Sequence, residues 1–185
     1  MSNSIELSYI KGLLPDSEID SIRSKLQDYH IAFECHNLSG IPQAAVEDLL
    51  SHVVLLLSSN LMQAYILGMA TSATYNLVKN IIFRIWNHIS GKEVHRITRR
   101  GAEAVPANLD LDIESVHGMK IKFKLKENIP DSFKLRCIDK AFHLIESDSF
   151  PVNRTGYVCL YVIEQNNWEI YEYLDFVKRF VKPKA

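Results

Sequence analysis

The residues with the clearest potential for chemistry are five cations that follow a long apolar stretch: Lys92, His95, Arg96, Arg99 and Arg100. They outnumber the nearby acids, Glu93 and Glu103. Cations are favourable at the end of a helix, because its last carbonyl groups carry partial negative charge. One interpretation of this basic cluster is therefore a solvated helix end and loop. The other is a site that binds an acidic partner, a phosphate or a lipid head group.

A second row of cations lies further along the chain: Lys120, Lys122, Lys124 and Lys126. Alternate residues of a strand are about 6.6–6.8 Å apart, a spacing that could follow a nucleic-acid backbone. The preceding strand pattern places three acids on the matching face: Asp110, Asp112 and Glu114. Opposite charges on neighbouring strands stabilise a sheet. We therefore interpret the row as a solvated sheet face, with anion binding as the alternative, and do not expect nucleic-acid binding.

The histidines and cysteines form no recognisable motif. The sequence contains no H-x-x-x-H or C-x-x-C pair, no glycine-rich phosphate loop and no G-x-S-x-G. A nucleophilic Cys–His pair would need an activated thiol, whereas Cys137 and Cys159 lie among apolar residues typical of inert core thiols. His52 fits a buried, hydrogen-bonded histidine better than a ligand. We predict no metal, no cofactor and no small-molecule substrate, and favour a protein that is not an enzyme.

The stretch from Leu49 to Val78 contains no Asp, Glu, Lys or Arg. It is long enough to span a bilayer, but ten interspersed polar residues would each need a partner there. Ser58-Ser59-Asn60 is typical of a helix break, with Asn60 as a cap and Gln63 completing a capping box. We predict two helices, over 43–58 and 61–89.

Four small or short residues recur every four positions in the second predicted helix: Ala64, Gly68, Ser72 and Asn76. At that spacing they share one helix face, and small side chains let another backbone approach closely. We predict an interaction face, used within the domain or between two copies of the chain. The alternative is a helix that lies on or in a membrane.

The strongest local pattern predicts a β-hairpin over 109–126, in which each strand has one apolar and one charged face. A three-residue turn at 115–117 would pair Asp112 with Lys120 and Asp110 with Lys122. A slip of one residue would place apolar residues on the charged face.

The remaining patterns complete an α+β fold with a mixed sheet of about five to seven strands. They predict strands at 5–9, 30–36, 94–98, 157–163 and 168–171, and helices from 15, over 130–147 and over 173–181. The first two strands flank a helix long enough for a parallel crossover, and residues 99–108 are predicted to be a loop. We expect one domain over 1–185, with possible sub-parts 1–90 and 91–185.

Composition bounds the location and the partners. The net charge of -1 gives no general attraction to nucleic acid or anionic lipid. The N-terminal residues lack the pattern of a signal peptide, so a cytoplasmic location is the expectation.

The order of elements resembles the small effector-associated accessory domains of bacterial conflict systems. The matching features are Ile5–Tyr9, Pro15–Tyr29, Ile31–His36, the uncharged stretch Leu49–Val78 and the strand Met119–Lys126. The resemblance is one of pattern, without functional residues. It implies an adaptor that couples a sensor to an effector.

The sequence thus favours a non-enzymatic cytoplasmic interaction protein that self-associates or binds another protein. The alternatives are a membrane-associated protein using helices in the 49–78 stretch, and an anion or nucleic-acid binder using the basic cluster over 92–100.

Overall fold

A computed structural model describes residues 3–40, 52–67, 71–98, 101–115, 118–126, 129–147, 149–151 and 155–180, and the side chains of 96–98 are not described. These residues form nine β-strands and five α-helices. The strands are β1 (Ser4–Tyr9), β2 (Ala32–Asn37), β3 (Val53–Leu57), β4 (Glu93–Thr98), β5 (Gly101–Pro106), β6 (Leu109–Glu114), β7 (Lys120–Leu125), β8 (Tyr157–Val162) and β9 (Asn167–Glu172). The helices are α1 (Asp16–Asp28), α2 (Ser59–Ile66), α3 (Ser72–Ile89), α4 (Asp131–Glu146) and α5 (Tyr173–Phe180).

Seven of the described strands form one mixed sheet in the order β2-β1-β3-β6-β7-β8-β9. The pairs β1–β2, β3–β6 and β7–β8 are parallel, and the other three are antiparallel. Each parallel pair is joined by a helical crossover, as parallel strands require. The predicted α+β class, the mixed sheet and the parallel start are confirmed.

One face of this sheet carries the main core. Its central row runs through Leu7, Leu55, Leu111 and Phe123, which are paired in register and fully buried. The apolar stripes of α1, α2, α3 and α4 belong to the same hydrophobic cluster. Four helices therefore cover this face, and burial of apolar surface is the main stabilising term.

The opposite face is mixed. Near β8 and β9 it packs against α5, where the Tyr171 ring meets Phe176 edge to face at 6.2 Å. Val158 and Phe176 are buried there, outside the main cluster. Further in, the face carries the alternating acids of β6 and lysines of β7.

The inner charges of this face are not solvated as the sequence predicted, although Lys120 and Lys126 at the ends of the lysine row are exposed. Asp110 is fully buried and Lys124 is only 9% exposed. Lys122 Nζ lies 3.0 Å from Asp110 and 3.1 Å from Asp112, and Lys124 Nζ lies 3.2 Å from Asp110. Burial raises the pKa of Asp112, and Lys122 opposes that shift. Burial alone would lower the pKa of Lys122, but the two aspartates outweigh it and raise the pKa. The result is a partly desolvated charge network in the middle of the sheet.

The hairpin prediction was right in its faces and wrong in its register. Asp110 pairs with Lys124 and Asp112 with Lys122, two residues from the predicted alignment. The loop closes where Ser115 N donates to Met119 O at 2.8 Å and Gly118 N donates to Ser115 O at 2.9 Å. Gly118 has φ +71°, a left-handed conformation that glycine adopts readily, so the turn is longer than three residues.

The two predicted apolar helices are also wrong in part. Residues 53–57 are the buried strand β3, and 41–51 lie outside the described residues. The next helix begins earlier than predicted, because Ser58 rather than Asn60 caps α2 by accepting from Leu61 N. It ends at Ile66, and Thr71 caps a separate helix, α3. No helix among the described residues is long and apolar enough to cross a membrane.

Residues 101–106 were predicted to be loop but form β5, which pairs with β4. In the described part of the chain these two strands pair only with each other. The hairpin is fastened at its base, where Ala107 N donates to Lys92 O at 2.8 Å. The later elements lie close to the predicted ranges: β8 and β9 form a hairpin, and α5 follows.

Replacing Asp110 with Asn should destabilise the protein by about 3 kcal/mol, because a buried lysine would lose its counter-charge. Urea unfolding measures this free energy. The control is Asp175→Asn, which breaks an exposed pair with Lys178 and should cost far less. Equal losses in the two variants would show that the charge network is not a stabilising feature.

Candidate functional site

An open groove of about 440 Å³ lies where β1 ends and β4 begins. We call it the basic groove. Its lining residues are Ile10, Lys11, Gly12, Leu13, Lys92, Glu93, Val94 and His95. Two members of the predicted basic cluster, Lys92 and His95, therefore meet a loop that lies some eighty residues earlier in the chain.

The loop after β1 forms the first wall and is held by backbone bonds. Ile10 N donates to His52 O at 3.2 Å, and Leu13 N donates to Ile10 O at 3.2 Å. Lys11 N donates to Ser39 Oγ at 2.8 Å. Gly12 has φ +94°, which a side chain would strain. This tight turn exposes Lys11 while Leu13 is buried in the core.

The second wall begins where α3 ends. Lys92 N donates to Ile89 O at 3.0 Å, which turns the chain into β4. The Lys92 ammonium then reaches across to the first wall and donates to Leu13 O at 2.7 Å and Gly12 O at 3.4 Å. Lys92 therefore joins the two walls, and carbonyl oxygens already occupy part of its donor capacity.

His95 is the third residue of β4. It lies opposite Ala104 of β5 and is exposed. Arg96 is paired with Glu103 in the strand register. Arg99 and Arg100 lie outside the described residues. The structure thus brings Lys92 and His95 to the groove, and the predicted role of the three arginines stays a prediction.

The charge of the groove is predominantly positive. Two lysines and one histidine face a single acid, Glu93. Within the described ranges, neither Lys11 nor His95 forms an ion pair. Ile10 and Val94 add apolar surface beside these cations. Such a lining suits an anionic group attached to apolar neighbours.

The predicted small-residue face is not a feature of one helix. Ala64 lies in α2, Ser72 and Asn76 lie in α3, and Gly68 lies outside the described residues. The break between α2 and α3 places Ala64 and Ser72 on different helices, so the four-residue spacing does not define one helix face. That these residues contact another molecule stays a prediction.

Other charged side chains tie helices together. Lys79 Nζ contacts Asp139 at 2.5 and 2.7 Å, and Tyr75 donates to the same carboxylate at 2.5 Å. Burial, aided by that hydrogen bond, raises the pKa of Tyr75. Arg84 likewise contacts the buried Glu18 at 2.6 Å, linking α3 to α1. These groups have a sufficient structural role.

The buried lysine of α4, Lys134, is fully occupied. Its ammonium contacts Asn87 Oδ1 at 2.8 Å, Ser90 Oγ at 3.0 Å and Asp131 at 2.7 Å. Three partners match the three donors of an ammonium, so this lysine fastens α4 to the end of α3.

His52 is the satisfied buried histidine that the sequence predicted. Its Nδ1 accepts from Asn108 N at 3.2 Å, and its backbone N donates to Asn108 Oδ1 at 2.8 Å. This reciprocal pair joins the starts of β3 and β6. It lies at the end of the sheet that bears the basic groove.

All three cysteines are free thiols, with Cys137 and Cys159 buried and Cys35 half-buried. Burial raises the pKa of Cys137 to about 11 and raises that of Cys159 as well. A raised pKa keeps both sulfurs protonated, and a protonated thiol is a poor nucleophile. Both cysteines therefore match the predicted inert core thiols.

Lys11 is the groove residue that sequence reasoning missed. The available signal was Lys11-Gly12 directly after the first strand, since loops at the carboxyl end of a strand in a β-α-β unit often carry ligand contacts. The pairing of this loop with Lys92 could not be anticipated, because it depends on where α3 ends in space.

Comparison with known protein families, curated proteins and solved structures finds no match to this chain. The resemblance to effector-associated accessory domains stays a prediction. Function is therefore inferred from the geometry and chemistry of the chain itself.

Replacing Lys92 with Met keeps the alkyl stem but removes the two hydrogen bonds that join the groove walls. We expect a loss of about 1–2 kcal/mol in the free energy of unfolding. Amide hydrogen exchange should accelerate at Leu13 and Lys11. Unchanged exchange in this loop would show that Lys92 does not hold the two walls together.

Alkylation with iodoacetamide at pH 8 should modify Cys35 first, and Cys137 and Cys159 only after unfolding. Cys35 should react first because it is the most exposed of the three thiols. Its thiolate is not favoured, since burial raises the pKa of Cys35 too. Mass spectrometry of digested protein measures each site, and the urea-unfolded chain is the control. Rapid modification of Cys159 in the native protein would contradict its buried position.

Proposed function

We propose that this protein is a non-enzymatic interaction protein that captures an acidic segment of a partner protein in the basic groove. The observation that carries the proposal is the convergence of Lys11, Lys92 and His95 from separate elements on one open concavity. Neighbouring cations raise the local concentration of an anionic partner and orient it.

An acidic protein segment suits the groove better than a bare inorganic anion. The cations are interleaved with Ile10 and Val94, which would contact apolar side chains between the carboxylates. The groove is open, so a continuous chain can enter and leave it.

A cytoplasmic location is part of the proposal. The three cysteines are free thiols. This favours a reducing compartment, because an oxidising compartment favours disulfides. Self-association of the chain is a second proposal. It names no interface, because the residues of the predicted face lie on two different helices. Analytical ultracentrifugation of the full chain measures it directly.

Fluorescence anisotropy with labelled hexaglutamate tests the groove. The double variant Lys11→Gln, His95→Gln should weaken binding about three- to tenfold, as expected for removing one exposed lysine charge and one imidazole donor. Rising salt should weaken binding to the native protein, because exposed charges are screened. The matched control is Lys25→Gln, an exposed lysine of α1, which should leave the affinity nearly unchanged.

Two further probes separate the alternatives. Oligothymidylate tests nucleic-acid binding and vesicles of anionic phospholipid test membrane association. If the protein binds either probe more tightly than hexaglutamate, and the double variant loses that binding, the ligand is a nucleic acid or a membrane and not an acidic protein segment. Equal weakening in Lys25→Gln would show that net charge rather than the groove governs binding.

A further inference from the structure

Strand β2 lies at one edge of the seven-stranded sheet, and within the described residues it pairs with β1 alone. Ala32 N donates to Asn3 O and Leu38 N donates to Tyr9 O, so even-numbered residues direct their backbone groups toward β1. By the alternation of a strand, Phe33, Cys35 and Asn37 direct their N–H and C=O groups away from the sheet. Among the described residues these three have no strand partner on that side, and they form a template for another strand.

A groove of about 410 Å³ runs beside the start of this edge, between β2 and α1. Its lining residues are Arg23, Gln27, His30, Ile31, Ala32 and Phe33. An edge strand flanked by a helix is an arrangement that binds extended peptides, since the strand supplies backbone bonds and the helix supplies side-chain contacts.

The charge of this groove indicates the chemistry of its occupant. Arg23 and His30 line it, and none of the lining residues is acidic. The Arg23 guanidinium lies over the Phe33 ring at 5.9 Å, which holds it beside the strand edge. It contacts Asp20 at 2.6 Å, but that pair is exposed and is therefore weak enough to exchange. A guanidinium binds a carboxylate through two parallel hydrogen bonds.

His30 occupies a conformation that histidine disfavours. It follows the end of α1 with φ +55°, the position where helices usually place glycine. Ile31 N donates to Leu26 O at 3.0 Å and His30 N to Gln27 O at 3.0 Å, which closes the helix end. His30 lines the groove in a conformation that glycine would adopt at lower cost.

We propose that the β2 edge binds an extended acidic peptide of a partner protein as an additional strand, with its carboxylates at Arg23 and His30. The added strand takes its backbone bonds from Phe33, Cys35 and Asn37. This surface is separate from the basic groove, because it begins level with Ser4 at the start of β1, whereas the basic groove follows Tyr9 at its end. The proposal does not depend on the function proposed above.

The experiment uses the full chain and a fluorescein-labelled peptide of about eight residues with alternating Glu and Val, which favours extended backbone. A peptide with Lys in place of Glu is the charge control. We expect residue-resolved amide exchange to slow about tenfold or more at Phe33, Cys35 and Asn37 when the Glu peptide binds. Glu34 and His36 are already bonded to β1 and should change little.

Variants test the side chains and the backbone separately. Arg23→Gln should weaken the peptide about tenfold, as loss of a charged hydrogen bond predicts. His30→Gly should also weaken it while leaving the protein at least as stable to heat, because glycine fits the backbone. Cys35→Pro removes an outward N–H without breaking a bond to β1 and should abolish strand addition.

The peptide measurements are made in the basic-groove variant Lys11→Gln, His95→Gln, because the Glu peptide also suits the groove proposed above. Slowed exchange at Phe33, Cys35 and Asn37 that persists in this variant distinguishes the β2 edge from that groove. Unchanged exchange at Phe33, Cys35 and Asn37 in the saturated complex would overturn strand addition. Equal affinity for the Lys peptide, or full affinity in both Arg23→Gln and His30→Gly, would overturn the assigned chemistry. If Cys35→Pro does not fold, these measurements still decide the outcome.

Discussion

The buried aspartate in the centre of the sheet constrains the rest of the molecule. Asp110 is fully enclosed and contacts both Lys122 and Lys124. A buried carboxylate is tolerated only when it is paired and hydrogen-bonded, so β6 and β7 must align where both ammonium groups reach it. The same alignment places Leu111 beside Phe123 on the opposite face, where four helices complete the core. The charge network thus selects a register in which the apolar face is also continuous.

The positions of both candidate surfaces follow from this sheet. The loop after β1 lies at the end where β3 and β6 begin, joined there by His52 and Asn108. α3 must cross the apolar face and end near that loop, which brings Lys92 to Leu13. The parallel crossover through α1 leaves β2 at the sheet edge. The basic groove therefore depends on where α3 ends, and the β2 edge depends on where the sheet ends.

Both candidate surfaces carry basic side chains. Lysine and arginine are positioned differently in them, because Lys92 is held by backbone carbonyl groups and Arg23 lies over an aromatic ring. The compact ammonium suits point contacts, whereas the planar guanidinium suits carboxylate geometry. The acidic side chains nearest these cations, Glu93 and Asp20, are exposed.

The sequence by itself determined the elements whose pattern is local. Alternation in 109–126 placed Asp110 and Leu111 on opposite faces, and the stripe in 130–147 identified α4, because strand and helix periods are properties of neighbouring residues. It also identified Lys92 and His95 as candidate anion-binding residues.

Tertiary structure decided the rest. A period of two is unchanged by a shift of two residues, so only the loop at Gly118 and the pairing of Asp110 set the register. A continuous apolar run such as 53–57 fits a buried strand or a buried helix equally well, and its neighbours β1 and β6 made it a strand. The basic groove joins residues that are distant in sequence, and their proximity exists only once the sheet is assembled. The groove beside β2 is lined by residues 23–33, which are close in sequence.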